Sequence, residues 1–289
     1  MEIHNGDCLE VMKTLPDKSI DLFVCDLPYG CLTGGGGQEK KKRRELVRYV
    51  DGVATTNSAI YNGGVIAGCA WDIKLDLTAF WIQVKRLCKN DHTPVLMFCN
   101  TKFGYDLIKS NEDWFRYDLV WNKMRGVSFL SANKMPMKSH ELVYVFSKKG
   151  ANYYRKDIEG DFKKVGGGRN TTASFSKQYG GVPLTVVPEN EDKRCALSVI
   201  NNGTSQTKGG HPTEKPVELY KWLIERYSKE GDSVLDPTFG SGNSGRGCVE
   251  LKRNYIGIEK DEKFFEKFKL YSSSVSPTSC EFDTPACKE

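Results

Sequence analysis

The sequence predicts an α/β fold built on a doubly wound, mostly parallel sheet. Two observations support this class: short apolar runs of strand length alternate with amphipathic helical segments, and two of these runs end in an acidic residue beside a turn. With 289 residues the chain can bury a sizeable core. Ligands of such sheets bind beyond the carboxyl ends of the strands, so the residues that follow each apolar run are the candidate site residues.

The first half of the chain contains four predicted strands and one predicted helix. Residues 19–25 form a buried apolar run that ends at a turn containing Pro28 and Gly30. Residues 75–87 place apolar side chains at three- to four-residue spacing, which is typical of an amphipathic helix. The remaining predicted strands are 93–99, 117–123 and 140–146.

The second half begins with an irregular stretch and then returns to alternating elements. Residues 150–210 are rich in Gly, Asn, Thr and Ser and have few apolar runs, which predicts an insertion without regular structure. An amphipathic helix is predicted directly after Pro216. It is followed by a strand at 232–236, a helix at 245–252, a strand at 255–259 and a helix at 264–270.

These changes in composition and apolar pattern divide the chain into four segments. We expect residues 1–149 and 211–271 to be the two halves of one domain, with residues 150–210 inserted between them. The glycine-rich and basic stretch at about 31–64 is predicted to be a mobile loop. Residues 272–289 are predicted to be a disordered tail.

Charge and composition favour a polyanionic partner and no membrane. The net charge is +5, and basic residues concentrate at 38–48, with six against two acids, and at 123–149, with six against one. Such patches are typical of nucleic-acid binding. No apolar stretch approaches the ~20 residues that cross a bilayer, and no Cys/His cluster has zinc spacing. The start lacks a signal segment, so we expect a cytoplasmic location, or host cytosol or nucleus if the protein is viral.

A glycine turn follows the predicted strand at 232–236. Gly240 and Gly242 allow a tight turn and a close approach of the backbone to a ligand. Glu259 ends the next strand, where a carboxylate can accept both hydroxyls of a ribose. Asp236 adds a second carboxylate, which favours a cationic ligand over a pyrophosphate. Because only 30 residues follow Glu259, the other strands must come from the N-terminal part, so the strand order is circularly shifted.

Four segments together resemble the β group of DNA amino-methyltransferases, the N6-adenine and N4-cytosine enzymes of restriction–modification type. They are N-G-D-C (5–8), D-L-P-Y (26–29), H-P-T-E-K-P (211–216) and D-P-T-F-G-S-G (236–242), in that group's order. The resemblance implies a Rossmann-like fold, S-adenosylmethionine as methyl donor and double-stranded DNA as substrate. It allows a homodimer, and it makes residues 150–210 the target-recognition region.

The resemblance also implies which residues bind the methyl donor. Those expected at the cofactor are Asp7, Cys8, Asp236, Thr238, Phe239, Gly240, Ser241, Gly242 and Glu259, with His211, Thr213 and Lys215 at its methionine end. Two positions depart from the family pattern. Leu27 replaces a proline that acts through its backbone carbonyl, which leucine also has, and Thr238 is an extra or substituted residue.

The segment Asp26 to Tyr29 is the predicted catalytic turn. The exocyclic amine of a base is a poor nucleophile because its lone pair is delocalised into the ring. A carboxylate and a carbonyl that each accept one N–H bond would localise that lone pair, and Asp26 with the Leu27 carbonyl could do so. Tyr29 offers a stacking face, and Pro28 fixes the turn. The alternative for Asp26 is an ordinary helix N-cap.

Asp rather than Ser at the head of the catalytic turn favours adenine N6 over cytosine N4, which stays open as an alternative. A nicotinamide-dependent oxidoreductase and a non-catalytic DNA-binding protein are two further alternatives. The predicted DNA contacts are phosphate contacts by basic side chains beside the site. They are Lys40, Lys41, Lys42, Arg43, Arg44, Lys123 and Arg125.

Overall fold

The computed structural model describes residues 1–30, 47–50, 53–56, 72–127, 129, 132–159, 193–203 and 214–274. The strands within these ranges are β1 (Glu2–Asn5), β2 (Leu22–Cys25), β3 (Val47–Val50), β4 (Val53–Thr56), β5 (Val95–Cys99), β6 (Phe115–Val127), β7 (Lys138–Phe146), β8 (Ile158–Glu159), β9 (Lys193–Arg194), β10 (Val199–Asn201), β11 (Ser233–Asp236) and β12 (Asn254–Glu259). The α-helices are α1 (Cys8–Thr14), α2 (Leu77–Leu87), α3 (Thr101–Ser110), α4 (Val217–Tyr227), α5 (Asn243–Glu250) and α6 (Glu262–Ser274).

Eight strands form one mixed, mostly parallel sheet in the order β1-β12-β11-β2-β5-β7-β6-β10. Strand β7 is antiparallel to both of its neighbours, and the other pairs of adjacent strands are parallel. Strands from the two ends of the chain therefore lie side by side: the C-terminal strands β11 and β12 lie between the N-terminal strands β1 and β2. The circularly shifted order predicted from the glycine turn is confirmed.

Helices cover both faces of the sheet, so its central strands are buried on both sides. In β2, Phe23 and Cys25 belong to one apolar cluster, which includes residues of α1, α2 and α3. Leu22 and Val24 point the other way, into a second cluster that includes residues of α4 and α5 and Phe268 of α6. This alternation in a strand with four buried residues is typical of a doubly wound sheet.

The structure contains every predicted strand and helix, with shifted ends, and several elements that were not predicted. The additional elements are β1, α1, α3 and the short strands β3, β4, β8, β9 and β10. The segment 31–64, predicted as a loop, contains the antiparallel hairpin of β3 and β4, and its other residues lie outside the described ranges. Helix α6 continues to Ser274, three residues into the predicted tail, and residues 275–289 lie outside the description.

Both described ends of the 150–210 segment belong to the main domain. Strand β10 pairs in parallel with β6 and extends the sheet, and the Trp121 indole donates to the Asn202 carbonyl at 2.6 Å. At the other end, the Tyr154 amide donates to the Arg226 carbonyl at 2.7 Å. The central part, 160–192, lies outside the described residues. Among the described helices, none combines the length and the apolar character needed to cross a bilayer.

Candidate active site

The carboxyl ends of four adjacent strands meet at a cavity of about 510 Å³. Strands β1, β12, β11 and β2 are parallel neighbours, so the residues that follow them lie at the same edge of the sheet. The volume is within the range of small-molecule sites. The lining combines residues from the predicted catalytic turn and the glycine turn, and includes Asp7, Cys8, Asp26, Leu27, Pro28, Tyr29, Lys215, Thr238, Phe239, Gly240, Ser241 and Glu259.

Asp26 is held by groups from three parts of the chain. Its carboxylate accepts a hydrogen bond from the Tyr29 hydroxyl at 3.1 Å and an ion-paired hydrogen bond from the Lys215 ammonium. Its backbone carbonyl accepts from the Thr238 hydroxyl at 3.0 Å. Residues 26–30 are not helical, so Asp26 is not a helix N-cap. Thr238, one of the two departures from the family pattern, thus links the glycine turn directly to the catalytic turn.

The catalytic turn itself is closed by a buried carboxylate. Gly30 has φ +67°, and its amide donates to the Asp72 carboxylate at 2.8 Å. Tyr29 stacks on Phe103, with ring centroids 5.0 Å apart and planes at 28°. Burial raises the pKa of Tyr29 well above its usual range, so the phenol stays a neutral donor to Asp26.

Glu259 orders the glycine turn and faces the cavity. One of its oxygens accepts from the Gly240 amide at 2.8 Å, and the other accepts from the Asp261 amide at 2.8 Å. Burial raises the pKa of Glu259, although these amide bonds oppose the shift. Each carboxylate oxygen has a second lone pair, so the group can also accept from ligand hydroxyls. An acceptor for a ribose therefore lies in the same cavity as the acidic Asp26, which fits a nucleoside with a cationic end.

Asp236 and Gly242, both predicted to bind the cofactor, do not line this cavity. Asp236 is 1% exposed, and its carboxylate accepts from the Thr238 amide at 3.0 Å and the Ser244 hydroxyl at 2.5 Å. Gly242 has φ +76°, begins α5 and packs against the Phe268 ring. The structure therefore gives both residues a role inside the glycine turn, where sequence reasoning could not separate them from ligand contacts.

The buried Asp236 predicts a pH-dependent stability. Burial raises its pKa to about 7, well above the usual range of an aspartate, so the folded state binds a proton more tightly than the unfolded state. The contribution of Asp236 to the free energy of unfolding is therefore complete below about pH 4, and it is lost as the pH rises through about 7. Asp236→Asn removes this charge while Ser244, which also lies 3.0 Å from the Tyr255 hydroxyl, can reverse its hydrogen bond.

We expect Asp236→Asn to gain stability over the wild type as the pH rises from 5 to 8, by about 3 kcal/mol at most, since about two pH units of this interval lie below the folded pKa. Urea unfolding at several pH values measures this difference. A variant whose free energy of unfolding stays at a constant offset from wild type would show that Asp236 does not titrate in the folded state.

Asp7 and Cys8 line the cavity from the first turn of α1. The Asp7 carboxylate caps this helix by accepting from the Leu9 amide at 3.0 Å, and it pairs with Lys260 at 3.1 Å. Burial raises the pKa of the Cys8 thiol to about 12, so this cysteine stays neutral. Asp7 therefore combines a structural role with a position beside the predicted cofactor.

Lys215 and Glu141 form a charged group beside Asp26. Lys215 was expected at the methionine end of the cofactor, but its ammonium pairs with Asp26 and lies 3.9 Å from the Glu141 carboxylate. The Asn243 side chain fixes its backbone by donating to the Lys215 carbonyl at 2.8 Å. Glu141 also lines the cavity and was not identified as a site residue. The available signal was an acidic residue at the start of the strand predicted at 140–146.

The predicted DNA contacts divide into three groups. Lys123 is directed inward: it pairs with Glu141 at 2.5 Å, and its side chain is 12% exposed, so it is not available for phosphate. Arg125 is exposed, close to the end of β6. Lys40 to Arg44 lie outside the described residues, as do His211 and Thr213. Among the described side chains, no group of three His, Cys, Asp or Glu residues is arranged for a metal ion.

The chain is similar in sequence to curated type II methyltransferases. The type II methyltransferase M.HinfI of Haemophilus influenzae is 27% identical over 95% of this chain and 69% of its own length. M.Cfr9I of Citrobacter freundii is 30% identical over 91% of this chain and 85% of its own length.

Two solved structures share the fold. The M1.HpyAVI–SAM complex has a TM-score of 0.54 at 20% identity, covering 93% of this chain and 98% of its own. The PvuII DNA methyltransferase, described as cytosine-N4-specific, has a TM-score of 0.55 at 14% identity and covers 96% of this chain and 86% of its own. The model of the N6/N4 methyltransferase family, described as DNA methylase, matches residues 20–270. The chain therefore belongs to this family, the DNA amino-methyltransferases of restriction–modification type.

Proposed function

We propose that this S-adenosylmethionine-dependent DNA methyltransferase transfers the methyl group to the N6 amine of adenine. The observation that carries the proposal is the shared cavity: the Asp26 carboxylate and the glycine turn line the same space, and the Thr238 hydroxyl joins the two turns at 3.0 Å. Asp rather than Ser at position 26 supports adenine over cytosine.

The methyl donor supplies an electrophilic methyl group on a sulfonium. In this proposal Glu259 accepts the ribose hydroxyls, and the glycine turn from Thr238 to Gly240 packs against the nucleoside. Asp7 and Lys260 form an ion pair in the wall of the cavity that also contains Glu259. Asp236 and Gly242 support this turn without touching the ligand.

The target amine is oriented by the catalytic turn. Asp26 accepts one N–H bond and the Leu27 carbonyl accepts the other, which localises the nitrogen lone pair for attack. The nitrogen gains the methyl group and loses one proton, for which the Asp26 carboxylate is the nearest acceptor in this proposal. Tyr29 stacks against the base. A base inside a duplex cannot reach this cavity, so the target nucleotide must leave the helix.

The DNA backbone is proposed to lie across the basic surface beside the cavity. Arg125 is exposed near the end of β6, the strand that carries Lys123 toward Glu141. Lys40 to Arg44 follow the catalytic turn in the chain, and we propose that they bind phosphates as well. Such contacts hold the duplex without selecting sequence.

Digestion of methylated DNA to nucleosides tests the proposed base. Purified protein is incubated with isotopically labelled S-adenosylmethionine and DNA of mixed sequence, and the products are separated by mass. We expect the label in N6-methyladenine. Label in N4-methylcytosine would identify the alternative base, and label in neither would contradict an amino-methyltransferase activity of this chain on DNA.

A further inference from the structure

The catalytic turn is flanked by a largely buried chain of alternating charges that reaches from β6 to Asp26. Lys123 pairs with one Glu141 oxygen at 2.5 Å, and the other oxygen lies 3.9 Å from the Lys215 ammonium. Lys215 in turn pairs with Asp26. Two ammonium groups and two carboxylates alternate, so the cluster has no net charge.

Lys215 is almost completely removed from water. It is 4% exposed, and its ammonium lies 4.8 Å from the centre of the Phe98 ring. In such surroundings a charge acts strongly on its neighbours, because solvent does not screen it. A lysine this close to Asp26 orients the carboxylate, but it also weakens it as a hydrogen-bond acceptor for the target amine.

We propose that Glu141 is a positioning residue for methyl transfer, which acts through Lys215 to keep Asp26 a strong acceptor. Glu141, 3.9 Å from the ammonium, offsets part of its positive charge, so Lys215 can orient the Asp26 carboxylate without weakening it as an acceptor. This inference rests on the proposed role of Asp26. It assigns to Glu141 of β7 a role beyond its ion pair with Lys123 of β6.

Among the titratable groups around this cluster, Asp236 titrates near neutral pH, because burial raises its pKa to about 7 and the charge of Asp26 adds to the shift, and it does so in the wild type and in the Glu141 variants alike. Lys138 is on the same strand as Glu141, and Cys99, Tyr29 and Tyr220 face it from the neighbouring elements. Burial raises the pKa of Cys99 to about 12 and raises that of both tyrosines well above their usual range. Burial of Glu141 is outweighed by Lys215, Lys123 and Lys138, which lower its pKa, so Glu141 stays ionised.

Glu141→Gln tests the inference because it removes the charge and keeps the shape. We expect the single-turnover rate at saturating donor and DNA to fall about tenfold, with the Kd for S-adenosylmethionine unchanged within twofold. The acid limb of the rate–pH profile should move to lower pH by about one unit, because the uncompensated Lys215 stabilises the Asp26 carboxylate. Glu250→Gln is the matched control, since Glu250 pairs with Lys221 at 2.8 Å away from the cavity.

A double variant separates this role from a structural one. If Glu141 acts through Lys215, then Glu141→Gln should cause no further loss in the Lys215→Met background. A full additional tenfold loss there, or an unmoved acid limb with a weaker donor Kd in the single variant, would overturn the proposal.

Glu141→Asp and the wild-type product serve as two further controls. If Glu141→Gln does not fold, Glu141→Asp keeps the charge at shorter reach, and we expect at most a two- to threefold loss of rate with donor affinity intact; a tenfold loss despite the retained charge would overturn the proposal. Wild-type label outside adenine contradicts the proposed base, and the Glu141 comparison is then made on the base that is methylated. A wild-type rate in Glu141→Gln contradicts only the role of Glu141.

Discussion

Removing the Asp26 carboxylate should abolish most methyl transfer while the protein still binds its donor. We expect Asp26→Ala to lower kcat by about 10²–10⁴-fold, the range for loss of a positioned acid–base group. Asp26→Asn keeps one acceptor oxygen and the shape of the turn, so it should lose less. Single-turnover transfer of labelled methyl groups, together with donor binding by calorimetry, measures both quantities.

The structure supplies the control for this prediction. Asp26→Ala leaves the buried Lys215 with Glu141 at 3.9 Å as its one carboxylate partner among the described residues, so part of any loss could come from a shifted lysine. The double variant Asp26→Ala with Lys215→Met removes the unpaired charge, and it should remain as inactive as Asp26→Ala. Transfer at the wild-type rate in Asp26→Ala, or recovered activity in the double variant, would contradict the acceptor role of Asp26.

A side chain at Gly242 should destabilise the protein by about 2–5 kcal/mol. With φ +76°, an alanine would be strained by about 1–2 kcal/mol. Its Cβ would lie 2.0 Å from a Phe268 ring carbon, and overpacking of a core costs about 1–3 kcal/mol more. The ring is held between Phe239, at a centroid distance of 5.0 Å, and Tyr271, at 5.6 Å, so it cannot move aside.

Gly231 offers a matched comparison for the Gly242 prediction. It has φ +84°, but an added Cβ would meet nothing within 4 Å. Gly231→Ala should therefore lower the free energy of unfolding only by the backbone strain of the positive φ, about 1 kcal/mol. Urea unfolding of both variants measures the difference, and equal losses would show that the contact with Phe268 does not limit this position.

The central strands and most helices were predictable because their signals are local. Residues 22–25 and 95–99 are continuous apolar runs, and the period of α2 and α4 appears within single segments. The glycine turn was predictable for the same reason. Its position after a strand and before a helix follows from adjacent residues.

Two of the missed strands, β1 and β10, depend on partners far away in the chain. Strand β1 has four residues of mixed polarity, and it is a strand because it pairs with β12, for example Ile3 with Gly257. Strand β10 has three residues and extends the sheet beside β6. Neither segment has a local pattern strong enough to identify it, since short edge strands gain their stability from the sheet that they join.

Glu141 and Lys123 show the same limit within the site. Strand β7 lies antiparallel between β5 and β6, which pairs Glu141 with Trp121 and directs the Lys123 side chain to the Glu141 carboxylate. The sequence predicted the strand, but its pattern does not indicate which neighbours it has. Lys123 therefore was predicted as a DNA contact, and the carboxylate that it binds was overlooked.

The central claim is that one cavity holds the methyl donor against Asp26, and a crystal structure with S-adenosylhomocysteine tests it most directly. We predict that the ribose hydroxyls bind the Glu259 carboxylate, with the sulfur directed toward Asp26 and Tyr29. An adenosine at Asp26 with the sulfur at Glu259, or a ligand outside the space between Asp26 and Gly240, would contradict the account.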